Sequence, residues 1–143
     1  MIIRQLSVFL ENKPGRLCAA IDALAKAGVN ISALSLADAA EYGILRLIVD
    51  QPDLAKQTLT DAGVIVKAHR VIALAMKDEP GGAETILRLL ADAEINIEYM
   101  YACVGHVTGK ALMVLRVDDA EKADAILKEN CCDEINPADI YRL

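Results

Sequence analysis

PGRLCAAIDALAKAGVNI, residues 14–31, is written a second time at residues 80–97 as PGGAETILRLLADAEINI. The shift of 66 (80 − 14) lays Pro14, Gly15, Ile21, Leu24, Asn30 and Ile31 on Pro80, Gly81, Leu87, Leu90, Asn96 and Ile97. In the first copy Leu17, Ala20, Ile21, Leu24 and Ala27 recur at helical spacing, and in the second Ala83, Ile86, Leu87, Leu90 and Ala93 do so at the same offset. Each segment therefore predicts a helix with one apolar stripe. Asp22 and Lys26, or Glu84 and Arg88, stand four apart on its wet face, where opposite charges attract.

Working outward, an alternating run precedes each helix: Leu6, Val8 and Leu10 in one copy, Ile72, Leu74 and Met76 in the other. Period-two alternation predicts strands with one face toward a core. After each helix come NISALSLA and NIEYMYAC, then ILRLIVD and ALMVLRVD, in which Leu45, Leu47 and Val49 match Met113, Leu115 and Val117 at an offset of 68 (113 − 45). The second copy thus carries two extra residues around GHVTG. A second helix follows in each, over Pro52 to Ala62, opened by a proline suited to a first turn, and over roughly Asp119 to Asn130. VIVKAHR closes the first copy as a strand, and ADIYRL, residues 138–143, is the candidate edge strand that closes the second.

The order β-α-β-β-α-β, twice, predicts an α+β protein of the ferredoxin-like class, duplicated, with antiparallel sheets carrying the helices on one face. The boundary falls at 1–70 and 71–143. No linker separates the copies, because VIVKAHRVIALAMK runs from the last strand of one into the first of the next. Units of about 70 residues are marginal alone. Exposed sheet edges and the apolar outer positions Phe9, Ala73 and Ala75 predict docking against another chain as a symmetric homodimer.

Composition excludes several classes. A chain of 143 residues, 55% hydrophobic and 25% charged, has the makeup of a folded domain. The net charge of −6, with one Phe and no Trp, counts against a nucleic-acid surface, which needs cations for phosphates and aromatic faces for bases. No apolar run spans a bilayer and the start MIIRQLSV has no signal-peptide pattern, so the expected location is the cytoplasm and no membrane partner is expected. Cys18, Cys103, Cys131 and Cys132 show no C-x-x-C spacing, and with only His69 and His106 to complete a site, no metal or other cofactor is expected.

ENKPGRL, then AGVNI sixteen residues after the proline, then a strand, YG and another strand, resemble the ACT domain, a small-molecule regulatory module attached to many amino-acid-metabolism enzymes. DEPGGA followed by AEINI resembles a more divergent copy, so the likeness runs over nearly the whole chain as a tandem pair. The resemblance implies an amino-acid site lined by the loop before the first helix and by the Asn that starts the second strand, between two adjacent units. It implicates Asn12, Gly15, Arg16, Leu17 and Asn30 in the first copy and Asp78, Gly81, Gly82, Ala83 and Asn96 in the second. Two copies side by side about a pseudo-twofold would set the Asn12 loop facing Asn96 and the Asp78 loop facing Asn30. Leu10 stands where some serine-binding members have His, and Asp78 replaces an Asn, so the two sites are chemically unequal.

The residues point to the same place. A Pro-Gly turn that opens a helix leaves N–H groups without intrahelical partners, and the helix dipole adds positive charge, so a carboxylate is welcome there. Glycine admits close approach to the backbone. An Asn amide donates and accepts at once, which suits a zwitterion. On residues alone, Pro-Gly also reads as a plain helix start and each Asn as a turn residue. Tyr99 and Tyr101 alternate on one strand face, for packing or for ligand contact.

No catalytic motif is written: G-x-S-x-G, H-E-x-x-H and G-x-x-x-x-G-K-[ST] are all missing from the sequence, so no enzyme is expected. The expected function is a regulatory protein that senses an amino acid or similar small molecule and relays it to an amino-acid-metabolism enzyme. A structural module without ligand is the second reading, and a small ferredoxin-like enzyme the third.

Overall fold

The computed structural model describes residues 2–37, 41–104, 110–130 and 132. In chain order they form β1 (Ile2–Glu11), α1 (Arg16–Lys26), β2 (Ile31–Ala37), β3 (Tyr42–Val49), α2 (Pro52–Asp61), β4 (Ile65–Lys77), α3 (Gly82–Asp92), β5 (Ile97–Val104), β6 (Lys110–Val117) and α4 (Ala120–Glu129). Among the described residues, 4–69 make one unit, and 2–3 with 70–104, 110–130 and 132 make the other. β4 is unbroken, so its first five residues belong to the first unit and the rest to the second. ADIYRL, Cys131 and GHVTG lie outside the described residues.

In the first unit the strand order is β2-β3-β1-β4, and in the second it is β4-β6-β5. Antiparallel registers pair Leu6 with Leu47 and Val8 with Leu45, and likewise Ile72 with Leu115 and Leu74 with Met113. These are the residues the alternation assigned to the core face. Against them α1 lays Ala20 and Leu24, and α2 lays Ala55 and Leu59. The second core repeats the plan with Ile86 and Leu90 of α3 and Ala123 and Leu127 of α4. Each fully buried Leu in such a core contributes roughly 1.5–3 kcal/mol by leaving water.

Polar interactions repeat as well. The Asp22–Lys26 and Glu84–Arg88 pairs form on the wet faces of α1 and α3, the first at 2.6 Å. Arg4 at the start of β1 makes a two-pronged pair with Asp53 of α2, 2.7 and 2.9 Å, and Arg70 pairs with Glu121 of α4 at the matching position. Pro52 opens α2, while Asp119 caps α4 by accepting the Lys122 N–H at 2.9 Å.

The sheet face opposite the helices differs from expectation. Ala73 is fully buried, and Phe9 and Ala75 are half-buried, so they do not form the open docking face read from the sequence. On the same face Gln5 is fully buried and Ser7 nearly so, with the Gln5 amide 3.4 Å from the Ser7 hydroxyl. The alternation of β1 identifies the second face correctly but not its cover. Large apolar side chains are left exposed in both units: Leu17, Leu34, Leu36, Tyr42, Leu54 and Ile65 in the first and Met100 in the second.

Candidate functional site

Both helix starts are made the same way. Gly15 and Gly81 precede α1 and α3 with φ of 85° and 88°, the left-handed region that glycine enters without strain. Neither helix has a side-chain cap at this end. The turn is closed by backbone alone: the Arg16 N–H donates to Lys13 O at 3.2 Å, and the Gly82 N–H donates to Glu79 O at 2.9 Å. In the first unit the N–H groups of Leu17 and Cys18 then make no hydrogen bond among the described residues, and in the second the N–H of Ala83 makes none. These are the donors that a helix start offers to an anion.

The charges around the two turns differ. In the first, Glu11 lies 3.3 Å from Lys13 and 3.2 Å from Arg16. The Lys13 ammonium foremost, with Arg16 beside it, holds the Glu11 carboxyl below its ordinary value. Two cations around one carboxylate leave this loop with an excess of positive charge. A recess of about 50 Å³ opens here, lined by Leu10, Glu11, Asn12, Lys13, Leu17, Leu36 and Gly43. In the second loop Lys77 lies 3.5 Å from Glu79, and Asp78 forms no ion pair or hydrogen bond among the described residues. An open groove of about 700 Å³ runs from this loop along Ala83, Leu87 and Ala91 of α3. Gly82 replaces Arg16, and the backbone of Lys77 packs against it: a Cβ at Gly82 would overlap the Lys77 carbonyl.

Asn30 and Asn96 sit at the far ends of α1 and α3 from their own loops. A helix of 11 residues, about 16 Å, separates the two features within each unit. A single unit therefore does not bring its own loop and Asn together. The backbone of each Asn is clamped by an aspartate that sequence reading missed. Asn30 N–H donates to the Asp50 carboxylate at 2.9 Å while Asp50 N–H donates to Asn30 O at 3.2 Å; Asn96 and Asp118 repeat this at 3.1 and 3.2 Å. The signal was present: both β3 and β6 end in a Val that an Asp follows. The side-chain amides of Asn30 and Asn96 make no hydrogen bond among the described residues, and both residues are exposed.

Tyr99 and Tyr101 face away from the helices, in register with Arg116 and Val114, and both are half-buried. Among the described residues no group of three His, Cys, Asp or Glu stands close enough to hold a metal ion. No helix there is long and apolar enough to cross a membrane.

The sequence pattern described as "ACT domain pair" matches residues 1–143. Comparison with curated proteins gives no match. Among solved structures, protein BT0572 from Bacteroides thetaiotaomicron is 38% identical, with 100% of this chain and 98% of that one covered at a TM-score of 0.92. The regulatory subunit of aspartate kinase from Thermus thermophilus, in a ligand-free form, is 16% identical over 90% of this chain and 93% of that one at a TM-score of 0.64. At that identity it shares the fold. The aspartokinase subunit structure, 18% identical at a TM-score of 0.57, adds the same statement.

Proposed function

The chain belongs to the ACT domain pair family, and from that premise we propose that it is a non-catalytic, cytoplasmic regulatory protein that binds an amino acid or a similar small molecule. It works as a homodimer and relays ligand occupancy to an enzyme of amino-acid metabolism. The observation that carries the ligand is the pair of N–H groups at Leu17 and Cys18 that make no hydrogen bond among the described residues, set behind a left-handed Gly15 in a loop with excess positive charge. Such a start favours a carboxylate by hydrogen bonding and by the helix dipole together.

On this reading Asn12, Gly15, Arg16 and Leu17 form the first cradle and Asp78, Gly81, Gly82 and Ala83 the second. Asn30 and Asn96, whose side-chain amides make no hydrogen bond among the described residues, are the polar groups offered to a ligand. The acidic second loop repels a bare carboxylate, so the first cradle is the tighter for an amino acid.

A thermal-shift screen against the twenty amino acids tests this. A ligand at a hundred times its dissociation constant stabilises the native state by about 2.7 kcal/mol per site, worth several degrees for a chain of this size. At least one amino acid, of apolar or branched side chain, is expected to raise the midpoint. If all twenty at millimolar concentration leave it unmoved, the second reading stands: an interaction module without ligand, favoured by the exposed Leu17, Leu34, Leu36 and Tyr42.

A further inference from the structure

Ala83, Leu87 and Ala91 recur at every fourth position of α3, so they form one apolar stripe about 12 Å long, and Met76 adds to the floor of the groove beside it. Leu87 is half-buried and stands outside the second core. In the first unit Arg16 and Leu17 occupy the positions of Gly82 and Ala83, and the recess at that loop measures about 50 Å³ against about 700 Å³ here. Two smaller side chains thus go with an open trough.

The rim of the trough is acidic. Asp78 and Glu79 stand before α3, Glu84 in its first turn and Asp92 at its last residue. The cations among them are Lys77, beside Glu79, and Arg88, paired with Glu84. Four carboxylates against two cations leave an excess of two negative charges. The same bias runs through this half of the sequence: residues 70–143 hold 14 acids and eight Lys or Arg, whereas residues 1–69 hold seven of each, so the whole net charge of −6 falls here.

We propose that this groove docks a cationic amphipathic helix of the partner protein to which ligand occupancy is relayed. Ala83 and Ala91, small on either side of Leu87, let a second helix backbone approach and lay its own apolar ridge along the stripe. Asp78 and Asp92 bracket a helix of 11 residues, about 16 Å, so Lys or Arg side chains about three turns apart on the partner reach both. Charge ranks the occupants. An acidic helix is repelled, and two copies of this groove repel each other face to face. A small ligand is ordinarily enclosed over most of its surface, which an open trough of this length does not do.

The inference rests on the relay reading, and a designed peptide separates the two. The probe is a synthetic helix of about five turns with a leucine stripe flanked by lysines, beside a counterpart with glutamates in their place. By fluorescence anisotropy the full chain should bind the lysine peptide and not the glutamate one. Leu87→Gln should weaken binding about tenfold or more, as expected for one buried Leu. Asp92→Lys should weaken it several-fold at low salt, while Asp61→Lys, the same charge change on α2 of the first unit, should leave it within about twofold. No binding of the lysine peptide, full binding by a folded Leu87→Gln chain, or equal losses in the two lysine variants overturns the surface. Affinity that falls as protein concentration is raised places a second copy in the groove and overturns it as well. Should Leu87→Gln fail to fold, the comparison of Asp92→Lys with Asp61→Lys decides. If the amino-acid screen moves no midpoint while the peptide binds in the expected pattern, the sensor reading falls and the docking surface stands.

Discussion

The carbonyl of Lys77 lies so close to Gly82 that a methyl group there would overlap its oxygen and come within 3.1 Å of its carbon. Gly15, one position earlier in the first unit's plan, has open space where its Cβ would stand but a φ of +85°. The two glycines are thus required for different reasons, one steric and one conformational.

Gly82→Ala must push the backbone of Lys77 away, an overpacking cost of about 1–3 kcal/mol. Gly81→Ala meets no atom within 4 Å and faces only its left-handed backbone, about 1–2 kcal/mol. Urea denaturation of both variants checks this. A Gly82→Ala protein as stable as the parent would contradict the close packing.

Asn and Asp at the clamp should separate in their effects. Asp50→Ala leaves the Asn30 N–H without its acceptor and should cost about 0.5–1.5 kcal/mol. Asp118→Ala should cost more, since that carboxylate accepts from Asp119 N–H as well as from Asn96 N–H. Asn30→Ala and Asn96→Ala keep the backbone bonds and should stay within about 0.5 kcal/mol of the parent. Calorimetry with the best ligand should nonetheless show affinity lower by about ten- to a hundredfold for the amide that contacts it, equivalent to about 1.5–3 kcal/mol. Unchanged affinity in both Asn variants removes them from the site.

Gly15→Val should abolish binding in the first cradle while the chain stays folded, because a branched side chain resists positive φ and stands beside the N–H groups. Binding equal to the parent's, in a folded Gly15→Val protein, places the ligand elsewhere.

Glu11 should titrate below 4.5 when followed by carboxyl NMR, because Lys13 first and Arg16 second favour its charged form. The folded value lies below the unfolded one. Its contribution to stability is therefore complete above the unfolded value and lost as pH falls through the depressed one. Lys13→Ala with Arg16→Ala should return the titration to the ordinary value. No change in that double variant would mean that neither cation acts on Glu11.

Much of the fold was legible because each core position is stated twice. Leu24 and Leu90, Leu47 and Leu115, Leu59 and Leu127 occupy matching buried places, so periodicity in one copy corroborates the other. The covered outer face was not legible. Gln5 and Ser7 alternate with Leu6 and Val8 and so lie on the face read as uncovered, where only long-range packing buries them. At the candidate site, the turns announced themselves through Pro-Gly, whereas Gly81-Gly82 gave no sign that its second glycine is pinned beneath a carbonyl. The Asp50 and Asp118 clamps join residues 20 and 22 positions apart, a pairing that local pattern does not encode.

Residue 16 is Arg and residue 82, its counterpart, is Gly. If both cradles bind, that one exchange makes their dissociation constants differ, and the dose-response of the chain changes shape. A lone site passes from nearly empty to nearly full over about two decades of concentration, and two sites separated by about 1.4 kcal/mol stretch that interval by about another decade. The output is then a graded readout of metabolite abundance across scarcity and plenty, in place of a threshold. Restoring symmetry with Gly82→Arg is blocked by the Lys77 carbonyl, so the wide range is written into the backbone and not only into the charge of one side chain.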